Sequence, residues 1–232
     1  MKNRSKKYVE VSKNVDSNKL YSKDEAIKLV KETSTTKFDS TVEVAIKLNV
    51  DAKKSDQQLR GSLVMPNGTG SSKRVLVIAK GALADEAKNA GADFVGDKDM
   101  IDKIKAENWF DYDVIVATPD MMAEVGKIGN ILGPKGLMPN PKTNTVTTKV
   151  AEVVEDLKKG MVTYKTDTFG NVHTIIGKVS FKEKALEENL DYVISTINRA
   201  KPQSVKGVFI DKITISTTMG PGIKVDKNSF DI

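Results

Sequence analysis

The chain has 232 residues, 39% of them hydrophobic and 29% charged, with 37 Lys+Arg against 31 Asp+Glu and a formal net charge of +6. This composition fits a soluble globular protein with a real core, long enough for one large domain or two ordinary ones. It has no cysteine and a single histidine, His173, which excludes disulfides, thiolate metal sites, a cysteine nucleophile and multi-histidine metal centres, and leaves His173 as the sole candidate base for a serine triad.

The N-terminus is a basic arm, with Lys2, Arg4, Lys6 and Lys7 and no apolar stretch behind them. That is not the pattern of a secretory signal, and no apolar run approaches the length of a membrane span. A helix follows: Ser22 and Glu25 form a capping box, and Ala26, Ile27, Leu29 and Val30 share one helical face. Val42, Val44, Ile46, Leu48 and Val50 alternate with Thr41, Glu43, Ala45, Lys47 and Asn49, which predicts a half-buried strand. A shorter strand covers about 59–65, and the Pro66–Ser72 stretch, with Gly68 and Gly70, reads as a hinge.

The middle of the chain changes character. Continuous apolar strands at Val75–Ala79 and Val114–Ala117, with a short one near Phe94-Val95, alternate with helical stretches at 82–90 and 99–108 and one behind Pro119. Such alternation implies βαβ units and a parallel sheet covered on both faces. A Pro- and Gly-rich segment, Gly133–Lys142, precedes a last helix through Val150, Val153, Val154 and Leu157 that ends at Gly160. The C-terminal part returns to strands at 162–165 and 172–176 around a turn at Asp167–Gly170, then a helix with Leu186, Leu190, Val193, Ile194 and Ile197 on one face, then a final strand over about 208–218. The arrangement predicted is a discontinuous two-domain protein: an α+β domain built from both chain ends (1–67 plus 160–232) and an inserted Rossmann-like, three-layer α/β domain (68–159), with Gly68, Gly70 and Gly160 as a double hinge.

Charge follows the same division. Residues 1–70 carry 14 Lys+Arg against 9 Asp+Glu and residues 160–232 carry 10 against 8, whereas residues 71–159 carry 13 against 14. A basic body made from the two ends is the electrostatic footprint of a polyanion binder, although solvated lysines give the same count.

No enzyme constellation stands out. The turn after the first α/β strand, Lys80-Gly81-Ala82, lacks the dinucleotide fingerprint, and Gly129–Gly136 has neither the glycine spacing nor the Ser/Thr of a phosphate loop. The insert therefore reads as a scaffold, and no metal or cofactor is expected. An active site at the C-terminal ends of its strands is the rival reading. The Gly133–Lys142 loop belongs to a stretch, 125–149, with four lysines and no acid; it is either a nucleic-acid edge or an ordered connection stiffened by its prolines. His173, within a strand pattern, suits a structural or interface role.

Two segments carry binding chemistry. Lys37-Phe38 precedes a strand with Thr41 and Glu43 on its non-core face. A lysine can pair with phosphate, an aromatic can stack on a base, and Thr and Glu can bond base edges or ribose 2′-hydroxyls. Near the C-terminus, Ser216-Thr217-Thr218-Met219-Gly220-Pro221-Gly222 replaces side-chain bulk with hydroxyls, backbone and one thioether, which makes it either a hairpin turn or a surface open to close approach.

Together with Ser55-Asp56-Gln57, Arg60-Gly61, Gly91-Ala92-Asp93, Ala117-Thr118-Pro119-Asp120 and Ile131–Lys142, these segments resemble the bacterial ribosomal L-one protein family over nearly the whole chain. The resemblance implies an RNA-binding α+β domain that holds a large-subunit ribosomal RNA stem at the mobile stalk. It further implies help in releasing deacylated tRNA from the exit site and repression of translation of the protein's own operon mRNA. A cytoplasmic, ribosome-bound, non-enzymatic protein, monomeric when free and with no membrane partner, is implied as well. The family's RNA contacts map onto Lys37, Phe38, Thr41, Glu43, Asp167, Thr168, Thr217, Thr218, Met219 and Gly220. At 168 this chain has threonine where the family commonly has lysine. If Gly220 lets RNA approach, Gly220→Val weakens binding with little loss of stability. The tail from Lys227 lies beyond the clear match.

Overall fold

The computed structural model describes residues 4–230; residues 1–3 of the basic arm and 231–232 of the tail lie outside them. Helices α1 (Lys6–Ser12) and α2 (Lys23–Glu32) lead into strands β1 (Thr41–Leu48) and β2 (Arg60–Val64). The middle of the chain forms β3 (Val75–Ile78), α3 (Ala82–Asn89), β4 (Phe94–Gly96), α4 (Lys98–Glu107), β5 (Val114–Ala117), α5 (Met122–Gly126), α6 (Gly129–Leu132) and α7 (Val150–Lys159). The last part forms β6 (Met161–Lys165), β7 (Asn171–Lys178), α8 (Glu183–Arg199), β8 (Ile210–Thr217) and β9 (Ile223–Val225). The chain divides into two compact units, one ending at Gly70 and resuming at Val162, the other Ser71–Met161.

In the both-ends unit the main sheet runs β7-β1-β8-β9, all antiparallel, and β2 pairs with β6 in a separate two-stranded ribbon. Alternation in β1 buries Val42, Val44, Ile46 and Leu48 on one face, where they meet Leu186, Leu190, Val193, Ile194 and Ile197 of α8 and Ala26, Ile27 and Val30 of α2 in one core. Ser22 caps α2 as the spacing predicts, with the Glu25 N–H donating to Ser22 Oγ at 3.4 Å. Two elements of this unit have no clear counterpart in the sequence pattern. The arm carries α1, which buries none of its residues and so has no apolar stripe to betray it, and β9 is only three residues long.

The tail from Lys227 belongs to this unit's structure. Asp226 caps a 3-10 turn over Lys227–Ser229 by accepting from the Asn228 N–H at 3.0 Å, and Phe230, 9% exposed, joins the core.

The inserted unit has a three-stranded parallel sheet, β4-β3-β5, with β3 buried along its full length. Leu76, Ile78, Ile115 and Ala117 face Ile101 and Ile104 of α4, Val125 of α5 and Leu132 of α6, while α3 and α7 pack on one another with α7 also against β3 and β5. The Gly133–Lys142 loop is tied down at its C-terminal end. Asn140 Oδ1 accepts from the Lys142 N–H at 2.8 Å, Thr143 and Thr145 bond the Asn140 carbonyl, and Thr145–Thr147 extends the β5 edge through Ala117.

Two of the three glycines expected to act as hinges are built into the both-ends unit. The Gly68 carbonyl accepts from Asn189 Nδ2 at 3.0 Å, and a side chain at Gly70 would meet Lys178 and Phe181 within 3 Å. Gly160 ends α7 in the left-handed conformation, φ 111°.

Candidate nucleic-acid interface

The face of the main sheet opposite α2 and α8 is polar and open. β1 presents Thr41, Glu43, Ala45 and Lys47 there, β7 presents Asn171, His173 and Ile175, β8 presents Lys212, Thr214 and Ser216, and β9 adds Lys224. Register places these side chains in rows: Glu43 lies between Ile175 and Ser216, Ala45 between His173 and Thr214, and Lys47 between Asn171 and Lys212. Same-face residues on adjacent strands are close enough to touch one ligand.

One end of this face is built by the residues that the sequence singled out. The Thr41 N–H donates to Thr218 Oγ1 at 3.2 Å, the Thr218 N–H donates to the Thr41 carbonyl at 3.1 Å, and Lys178 Nζ donates to Thr41 Oγ1 at 2.9 Å. Beside them the 34–40 loop is pinned: Thr36 Oγ1 donates to the Phe38 carbonyl at 2.9 Å and also bonds Ser40, which is fully buried, while Asp39 accepts from Ser180 N–H and Oγ at 3.1 and 2.7 Å. This loop holds Phe38 outward, 58% exposed, next to Met219, 63% exposed. Phe38 is therefore a surface group. A shallow groove between the two is completed by Arg4, Lys7, Tyr8 and Lys37, with the Arg4 guanidinium 4.3 Å above the Tyr8 ring. Cations interleaved with aromatics and a thioether suit phosphates and unstacked bases.

Three of the expected contacts also have places inside the fold. Thr217 follows the core parity of Ile213 and Ile215 and is 5% exposed, and its hydroxyl is buried beside the Gly220 turn without a hydrogen-bond partner. Gly220 closes the turn by donating its N–H to the Thr217 carbonyl at 3.0 Å, and a Cβ there would strike the Thr217 hydroxyl. Its need for glycine thus arises inside the fold. Gly220→Val is expected to cost about 1–3 kcal/mol of stability by overpacking as well as weakening RNA binding. An unchanged melting temperature would return Gly220 to the simpler role of allowing close approach.

Asp167 organises the turn between β6 and β7. Its Oδ1 accepts from the N–H groups of Phe169 at 2.8 Å and Asn171 at 2.7 Å, and its Oδ2 from Asn171 Nδ2 at 2.9 Å. The Asn171 N–H, more than any other group, holds the carboxyl down to about 2, against an opposing effect of burial. A carboxylate whose folded pKa is depressed stabilises above its unfolded pKa, and that contribution is lost as pH falls through the folded value. The wild type is therefore expected to lose melting temperature more steeply than Asp167→Asn between the ordinary 3.8 and about 2. Parallel slopes would show that the carboxylate is not what holds the turn.

The turn sits at the other end of the open face. The Leu48 N–H donates to the Gly170 carbonyl at 2.9 Å, at the end of β1 opposite Thr41. At about 3.3 Å per residue, Thr41 and Lys47 lie about 20 Å apart. The expected residues thus form two clusters at the ends of one face, with exposed Thr168 in the second. Sequence reasoning missed the middle of that face, Thr214, Ser216 and Lys212, because only strand register reveals it. His173 lies there too, exposed and 3.6 Å from Asp167 Oδ2. Among the described residues there is no group of three His, Cys, Asp or Glu side chains suited to a metal, and no helix is long and apolar enough to cross a membrane.

The ribosomal protein L1p/L10e family model matches residues 30–221. The chain is 58% identical over 224 residues to the large ribosomal subunit protein uL1 of Mesoplasma florum, covering 97% of this chain and 98% of that protein. It is 59% identical over 222 residues to the protein of the same name from Mycoplasma capricolum subsp. capricolum, covering 96% and 98%.

Proposed function

The chain belongs to the ribosomal protein L1p/L10e family, and from that premise we propose that the open sheet face of its both-ends unit binds a stem of large-subunit ribosomal RNA at the mobile stalk. The family makes it a ribosomal, RNA-binding, non-enzymatic protein that works on cytoplasmic ribosomes, and the active-site reading of the inserted unit is dropped.

The observation that carries the proposal is the composition of the face. Lys47, Lys212 and Lys224 supply charge, Thr41, Glu43, Thr214 and Ser216 supply donors and acceptors, and Phe38 with Met219 stands exposed at one rim. Paired RNA hides its base edges in a deep, narrow groove and offers 2′-hydroxyls and backbone across its wide, shallow one. A flat, polar sheet face can contact that shallow surface, with Glu43 accepting from 2′-hydroxyls and the lysines pairing with phosphates. Lys37 and the groove around Phe38 then receive bases that irregular RNA leaves unstacked.

Release of deacylated tRNA from the exit site and repression of the protein's own operon mRNA extend the same reading. One RNA-shaped face can hold ribosomal RNA or a messenger that imitates it. The inserted unit, Ser71–Met161, acts as a scaffold in that release. Amide hydrogen exchange of the whole protein, with and without a stalk RNA fragment, tests the central part. Protection is expected at the Thr41–Thr218 junction and in the 34–40 loop, and protection confined to the inserted unit would overturn the reading.

A further inference from the structure

The turn that Asp167 organises carries the most exposed large apolar side chain among the described residues, Phe169, at 77%. A single exposed apolar residue is ordinary on a protein surface. What distinguishes Phe169 is the backbone beneath it. Its N–H donates to Asp167 Oδ1 at 2.8 Å, and its carbonyl accepts from Lys47 Nζ. On either side, the Asp167 N–H donates to the Asn171 carbonyl at 2.8 Å and the Gly170 carbonyl accepts from the Leu48 N–H at 2.9 Å. The aromatic ring is thus held out from a fixed turn, not carried on a loose loop.

Its surroundings suit a nucleic acid. Lys47, which bonds the Phe169 carbonyl, lies opposite Lys212 in the sheet, and His173 lies beside Asp167. Base stacking needs an apolar plane with cations near it for the adjoining phosphates, and a pre-fixed backbone lowers the ordering cost of binding. The far rim of the same face, about 20 Å away along β1, has the same combination in Phe38, Met219 and Lys37.

We propose that Phe169 is a second base-stacking platform, which receives an unpaired base of the RNA lying across the open sheet face. Asp167 and Lys47 act as its positioning residues. The proposal rests on the reading of that face as the RNA surface.

The test is binding of the full chain to a stalk ribosomal RNA fragment and to an unrelated hairpin, for wild type, Phe169→Ala, Phe169→Leu, Phe169→Trp and Phe38→Ala. Stacking predicts that Phe169→Ala weakens selective binding about tenfold, that Phe169→Leu does not restore it, and that Phe169→Trp does. Melting temperatures should be unchanged, because the ring is mostly outside the core. Wild-type affinity in Phe169→Ala or in Phe169→Leu would overturn the stacking role; if Phe38→Ala remained weak, the RNA reading of the face would survive. Equal binding of both RNAs by the wild type would overturn the RNA reading itself, and Phe169 with it.

Discussion

Phe38→Ala combined with Met219→Ala is expected to weaken binding to stalk ribosomal RNA by roughly 30- to 1000-fold while leaving thermal stability nearly unchanged. The two side chains are 58% and 63% exposed, so their loss opens no cavity. Each base or apolar wedge contact of this kind is worth about 1–3 kcal/mol by alanine substitution. The pair shares one groove with Tyr8 and Lys37, so the two effects should couple and not simply add. A total of about 2–4 kcal/mol follows, which gives the range above. Fluorescence anisotropy with labelled RNA, alongside thermal melts of the same samples, measures both quantities. A loss under about threefold would mean that the groove is not part of the interface and that the lysines alone hold the RNA.

The largest stability loss is expected from Gly177→Ala. Gly177 lies opposite Val42 at a bulge, where the register shifts so that Glu43 faces Ile175. Its φ is 153°, a region that L side chains rarely adopt, and a Cβ would press on Leu186 Cδ2 at 2.8 Å and Phe181 Cδ2 at 2.9 Å. Backbone strain and overpacking each cost about 1–3 kcal/mol, so about 3 kcal/mol in total is reasonable. The melting transition should fall by roughly 6–12 °C for a chain of this size. RNA binding should weaken as well, because the bulge sets the end of β7 from which Lys178 reaches Thr41. A thermal melt that matches the wild type would mean that α8 can shift to admit the methyl group.

Much of this fold was legible from periodicity. The alternation from Thr41 to Leu48 predicted both the buried face and the open one, and the stripe from Leu186 to Ile197 predicted the helix that covers the core. The continuous apolar runs at Val75 and Val114 became neighbouring parallel strands. The candidate site was legible only in part. Lys37, Phe38, Thr41, Glu43, Thr218 and Met219 lie toward one end of the open face. The burial of Thr217 has a signal in the sequence, since it continues the parity of Ile213 and Ile215 on the core side. Asp167 also had a readable alternative, as an Asp before a Gly-containing turn commonly bonds the backbone ahead of it. The rows formed by Glu43 with Ser216 and Ala45 with His173 and Thr214 depend on register between strands far apart in sequence. Phe169, an isolated aromatic in a turn, has no periodic neighbour to announce its exposure.

The most direct test of the central claim is the affinity of the purified chain for a stalk ribosomal RNA fragment, compared with an unrelated hairpin, over a salt series. A shape-specific face predicts tight, selective binding whose preference for the stalk RNA persists as salt rises, because hydroxyl contacts and stacking release no counterions. Weak binding, equal for the two RNAs and abolished by salt, would contradict the account and leave the open face as a merely basic surface.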